Sequence, residues 1–215
     1  MSATKGTGLR ATRPQVAVGD TWRFASENRL AGTTAEETRL VRAVTDTRIE
    51  CDNDSTDPNF ARGRFIYTRH WNLVSRPALA AAGDLPEDIG QWVWNPYYPH
   101  FRFPLVARKR WAGVARVTNT ATDTTNVHRY VAEVLPAQKV SVPAGTFDVL
   151  PVRYDAQVAS DGSTDGNEQL AWRNVELLYY APAVNLFAQV EHQITGPDGR
   201  PSRDSRLQLV EYRRG

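Results

Sequence analysis

In residues 186–195, Leu186, Ala188, Val190, His192 and Ile194 share one parity, while Gln189, Glu191 and Gln193 hold the other. Only an extended strand, whose side chains point alternately to opposite faces, puts those five on one side. The same period recurs along the chain. "GDTWRF" sets Trp22 and Phe24 against Thr21 and Arg23, and "RFIYTRHWNLV" is β-branched and aromatic. "TAEETRLVRAV" and "TRIEC", "WAGVARVTN" and "NVHRYVAEVL", and "NEQLAWRNVELLYYAP" and "SRLQLVEYRR" read as further strands. Roughly nine or ten strands at regular spacing, with turn chemistry between them, predict an antiparallel curved sheet, a half-barrel or a barrel. At most one or two short helices are expected, one of them in "ALAAAGDLPED" (residues 78–88).

Several local details follow. "TATDTT" and "SDGSTDG" have the composition of hairpin loops. In "SVPAGTFDV", Pro143 and Ala144 suit the corners of a turn, and Gly145 supplies a positive φ at the start of the next strand. In "TFDVLPVRYDAQVAS" the apolar parity changes between Val149 and Leu150, beside Pro151, which predicts a β-bulge there.

A chain of 215 residues suits one large β domain, and 41% hydrophobic residues supply its core. Residues 15–215 are therefore assigned to a single domain, preceded by a disordered tail over residues 1–14 that has almost nothing to bury. Lys and Arg number 26 against 24 Asp and Glu, a balance that argues against a nucleic-acid binder. Cys51 is the only cysteine, so no internal disulfide can form. No apolar run is long enough for a membrane-spanning helix, and the first residues lack the apolar stretch of a signal peptide.

Four segments, "VGDTWRF", "FPLVARKRW", "VPAGTFDV" and "YAPAVNLF", occur in this order over residues 18–187. Together they resemble an uncharacterised family of bacterial secreted proteins and lipoproteins with V-G-D-x-W, F-P-L-x-x-G-K-x-W, V-P-A-G-T-F and Y-A-P-x-V-G motifs. Arg108 and Asn185 stand where that pattern has Gly. The resemblance implies a β-rich fold related to the half-barrels of lipoprotein carriers. It also implies export, to a periplasmic or extracellular setting, with the cytoplasm as the alternative. It brings no catalytic residue.

The residues themselves carry few motifs. His70, His100, His128 and His192 lie far apart, without the close spacing of a metal site. His192 keeps the apolar parity of its strand and reads as a core histidine. "ECDNDSTD" lacks the central Gly and the distal Glu of a calcium loop and reads as a solvated loop. No nucleophile elbow, phosphate loop or dinucleotide fingerprint appears, and neither cofactor nor metal is expected.

The remaining feature is "WVWNPYYPHFRFPLVARKRW", residues 92–111. Pro96, Pro99 and Pro104 exclude a helix and withhold ladder donors, which predicts an edge or a lid. Trp92, Trp94, Tyr97, Tyr98, Phe101 and Phe103 are the candidate lining of a ligand site. Phe103, Leu105 and Trp111, shared with the family pattern, are also expected to pack inward. Arg108, Lys109 and Arg110 form a basic patch suited to an anionic lipid surface or a protein partner. These features favour a non-catalytic envelope protein that binds a lipid or another hydrophobic or amphipathic molecule. The alternatives are an adaptor that docks an envelope protein partner through the same aromatics, and a hydrolase with a dispersed site.

Overall fold

The structure is a computed structural model that describes residues 8–58, 60–79, 90–161 and 170–215. Its strands, in chain order, are β1 (Arg10–Ala11), β2 (Thr21–Asn28), β3 (Thr33–Val44), β4 (Arg48–Ser55) and β5 (Gly63–Thr68). They continue with β6 (Leu73–Pro77), β7 (Gln91–Tyr98), β8 (Leu105–Val106), β9 (Arg110–Asn119) and β10 (Thr124–Val134). The last five are β11 (Gln138–Val142), β12 (Gly145–Ser160), β13 (Leu170–Ala181), β14 (Leu186–Thr195) and β15 (Pro201–Arg213). One three-residue 3-10 turn, Pro182–Val184, precedes β14.

The antiparallel architecture foreseen from the alternation is present, and it closes. The main sheet runs β10-β9-β7-β6-β5-β4-β3-β2-β15-β14-β13-β12, and β10 pairs again with β12 from Asn126↔Ser160 to Val134↔Val152. Twelve strands thus form a barrel, with β11 appended to β12 and β1 paired to β8. Closure leaves the barrel wall no free edge.

Strands outnumber those counted in the sequence because some apolar runs are divided. "RFIYTRHWNLV" becomes β5 and β6, turned at Trp71, whose φ is 59°. A bulky residue in the left-handed region is a rare conformation that no periodicity signals. "ECDNDSTD" is no loop either. Glu50 to Ser55 of that segment lie in β4, with Cys51, Asn53 and Ser55 buried and Glu50, Asp52 and Asp54 paired outside with Arg64, Arg42 and Arg62.

Two further expectations are corrected. The parity change at Val149/Leu150 is not a bulge: β12 pairs β11 up to Val149 and β13 from Leu150, so both faces are covered in turn. The register shift of β12 lies instead between Val158 and Ala159. Segment 92–98 is neither an edge nor a lid, because β7 sits between β6 and β9 within the closed wall. Its pairing with β6 skips from Val93 to Tyr98, which lets Pro96 stand where no ladder donor is required.

Part of the stretch read as a disordered tail is also ordered, since β1 pairs with β8 and both Ala11 and Pro14 are buried. The helix expected in residues 78–88 and the hairpin tip at residues 160–166 lie almost wholly outside the described residues.

The "VGDTW" segment has a mechanical use. Gly19, at φ 93°, would bring a Cβ within 3.0 Å of the Gly215 backbone. Asp20, fully buried, accepts hydrogen bonds from the N–H groups of Ala17 and Gly215 and so ties down the chain end. Trp22 and Trp71 then donate their indole N–H groups to the carbonyls of Val184 and Asn185, both at 2.8 Å. Asn185 and Arg108, the two positions where the resemblance expects Gly, have φ of 56° and 69°. Asn is at ease there; Arg is held by its turn, with Arg108 N–H donating to Val134 and Lys109 N–H to Val106.

Candidate functional site

Inward-facing residues fill one part of the barrel and leave another hollow. Around Trp22, Phe24, Leu105, Leu150, Tyr180 and Leu209 the side chains are fully buried and packed. Beyond them lies an interior cavity of about 750 Å³. Its apolar wall includes Phe60, Phe65, Tyr67, Trp94, Phe101, Leu178, Leu186, Phe187 and Val190, and its mouth includes the exposed Leu79 and Arg203.

Of the six aromatic residues expected to line a site, Trp94, Tyr98 and Phe101 do so. The strand period explains the division. Trp92 and Trp94 face inward on β7, but Trp92 packs against the core beside the cavity. Tyr98 keeps the parity of Trp94 and points inward, whereas Tyr97 takes the other parity and points outward. Phe103 is absorbed by packing on Phe101, His70 and Tyr180. Leu105 and Trp111 are buried as expected.

The basic patch is largely committed within the chain. Lys109 Nζ donates to the carbonyls of Arg102 and Pro104, bracing the 101–109 loop, and Arg110 pairs with Glu133 at 2.9 Å. Arg108 is exposed.

Beside Trp94 and Phe101, around Tyr98, the fold assembles a polar cluster that sequence spacing conceals. Glu176 on β13, 7% exposed, is its centre. The Tyr98 hydroxyl donates to Glu176 Oε1 at 2.7 Å, and Asn174 Nδ2 donates to the Tyr98 oxygen at 2.6 Å. His100 Nε2 lies 2.9 Å from Glu176 Oε2, close enough to pair though not aligned along the N–H direction. His192 Nε2 is 2.8 Å from Asn174 Oδ1, so it carries the proton and donates to that carbonyl. His128 stacks edge-on against Tyr98. Three of the four histidines thus meet around one carboxylate, while His70 stays apart against Phe103.

The cluster's protonation follows from burial and pairing. Burial alone would raise the Glu176 carboxyl, but His100, His192 and the Tyr98 hydroxyl more than offset it and hold it below the usual carboxylate range. Burial pushes His128 down to about 4, against the opposing pull of Glu176, and burial also lowers His192. Burial raises the Tyr98 hydroxyl well above its ordinary value, and Glu176 adds to the effect.

Folding therefore excludes protons that the unfolded chain would bind. Between about 6.5 and about 4 the free histidine at position 128 is protonated and the folded one is not. Stability must fall as pH drops through that window, by up to about 3 kcal/mol for this residue. Urea denaturation at pH 7, 5.5 and 4 is expected to show this loss, and His128→Gln should flatten it. Parallel curves for the two proteins would mean that position 128 is hydrated in the folded state.

Other chemistry is poorly placed. Ser205 is the register neighbour of His192, yet His192 Nε2 is engaged by Asn174, so base and hydroxyl are not linked as a hydrolase would need. Cys51 is buried and its thiol is pushed up to about 12 by burial, which leaves it inert. Among the described residues no group of three His, Cys, Asp or Glu side chains is arranged to hold a metal ion.

Comparison with known proteins identifies the architecture. No protein-family model matches the chain, and no curated protein does. A solved structure from Parabacteroides distasonis, named as a lipoprotein, matches with a TM-score of 0.55 at 15% identity, over 94% of this chain and 99% of that one. A second from Bacteroides fragilis, named as an exported protein with a YmcC-like fold, matches with a TM-score of 0.51 at 14% identity, over 95% and 100%. At such identities the likeness is one of fold.

Glu176 and Asn174 escape a search for motifs, but they did leave a signal. They share the inward parity of Leu178 and Tyr180 on β13 and are the polar residues of that face. Glu37 and Arg39 likewise share the parity of Val41 on β3 and are polar residues of that face.

Proposed function

We propose that this protein is a non-catalytic binding protein of the bacterial cell envelope that takes up a hydrophobic or amphipathic molecule inside its barrel. The hollow interior carries this reading. A volume of about 750 Å³ lies within the roughly 300–1,000 Å³ of small-molecule pockets, and its wall is aromatic and aliphatic with a few polar groups. Trp94 Nε1 and His128 Nδ1 are buried on that wall without a hydrogen-bond partner, so each can meet a polar atom of an occupant. The inward turn of Trp94, Tyr98 and Phe101 favours uptake over docking of a partner through the same rings. The envelope setting is supported by the fold shared with proteins named as lipoprotein and exported protein.

A neutral fluorophore that brightens in apolar surroundings, N-phenyl-1-naphthylamine, tests the reading directly. One molecule is expected to bind per barrel. Val190→Trp, which fills the cavity from β14, should weaken uptake by roughly tenfold or more. Absence of enhancement, or enhancement that Val190→Trp leaves unchanged, would remove the interior as the site.

A further inference from the structure

The cavity is not apolar throughout. Arg39 on β3, Arg76 on β6 and Arg203 on β15 all line it. Arg39 lies 4.9 Å above the Phe187 ring and 5.8 Å above that of Phe24, and Arg76 lies 5.9 Å above Trp94. Stacking of this kind occupies the flat face of a guanidinium and leaves its N–H edge free to donate.

On the outer face Arg42 and Arg64 pair with Asp52, and Arg153 and Arg173 with Asp155. Among the described residues none of the three cavity arginines forms an ion pair. Arg76 donates to the adjacent Pro77 carbonyl, and Arg39 Nε is buried without a partner. Burial, and then Arg203, holds the Arg76 guanidinium below its ordinary value.

Carboxylates do share the cavity. Glu176 is engaged by Tyr98 and the histidines, Asp57 lies on the wall, and the Glu37 carboxyl is pushed up by burial despite Arg39 and Arg203. Arg39 and Arg76, half-buried and without an ion pair among the described residues, are costly to keep, and a bound anion would offset that cost.

Resting on the reading that the barrel takes up an amphiphile, we infer that its occupant carries an anionic head group, a carboxylate or a phosphate, held by Arg39, Arg76 and Arg203. The layout suits such a molecule. Arg203 is exposed at the mouth beside Leu79, Arg76 is half-buried, and the apolar wall continues inward past Trp94 to Leu178 and Leu186. A head group at the arginines keeps contact with water while its chain enters the hollow.

Displacement of N-phenyl-1-naphthylamine by single-chain amphiphiles of equal length separates the two readings. Laurate and dodecyl phosphate are expected to displace the probe at roughly tenfold or more lower concentration than dodecanol or dodecyltrimethylammonium. The weaker of the two anions identifies which head group the arginines fit less well. In the Arg76→Gln/Arg203→Gln variant the anionic advantage should shrink to within about threefold while probe binding persists. If all four amphiphiles displace the probe equally from the unaltered protein, the anionic head group is refuted and uptake stands. If the probe does not bind, uptake itself fails, and the inference with it. The comparison on the unaltered chain decides the matter even if the double variant does not fold.

Discussion

Replacing Trp22 by Ala is expected to lower the unfolding free energy by about 3–5 kcal/mol, the range for deleting a buried aromatic ring. Trp22 is fully buried where the barrel is packed shut. Its ring stacks on Tyr212 at 5.3 Å and meets Trp71 edge-on at 5.5 Å. Removing it opens a void between two rings that are themselves fixed by register and by hydrogen bonds, so the site cannot collapse to fill the space. It also strips the Val184 carbonyl of its indole donor. Trp22→Phe should cost less, about 1–3 kcal/mol, because packing is largely kept and one buried acceptor is left without its partner. Guanidinium denaturation of the three proteins measures both values. A loss below about 1 kcal/mol for Trp22→Ala would place the ring outside the core.

The reach of sequence reasoning can be judged from the same residues. Trp22 and Phe24, and the run from Leu186 to Ile194, announce their strands because their inward side chains are mostly apolar. Where the barrel becomes hollow, that rule weakens. Asn53, Ser55, Glu37, Arg39, Asn174 and Glu176 all point inward or lie buried, which is why "ECDNDSTD" reads as a loop. Alternation tells which side chains share a face; it does not tell whether that face meets a core, a cavity or water. The pairing that closes the barrel was equally hidden, since β10 finds β12 across an intervening hairpin and no local pattern encodes it. The histidine cluster follows only partly from closure. His192 is the register partner of Glu176 across β13 and β14, whereas His128 on β10 and His100 in the loop after β7 come to it round the closed wall. Pro96, which predicts an edge, sits instead in a gap of the β6–β7 ladder.

Glu176→Ala is expected to destabilise the protein by about 3–5 kcal/mol at pH 7, as when one partner of a buried charged network is removed. The carboxylate accepts from the Tyr98 hydroxyl and faces His100 and His192; alanine leaves that hydroxyl buried without its acceptor and His100 without its neighbouring carboxylate, while His192 keeps Asn174. Glu176→Gln keeps one oxygen for Tyr98 and should lose only about 1–2 kcal/mol. A third protein, Glu176→Leu/Tyr98→Phe, removes acceptor and donor together and should recover part of the alanine loss, because no hydroxyl is then stranded. The carboxyl is held below its ordinary range, so its contribution is present above the unfolded value near 4.5 and fades as pH falls through the folded one. The difference between the original protein and Glu176→Gln should therefore narrow in strong acid. Equal stability of all variants at pH 7 would show the carboxylate to be solvated. Retained uptake of N-phenyl-1-naphthylamine by Glu176→Gln would assign the cluster to holding the wall rather than the ligand, leaving recognition to the arginines and the aromatic face.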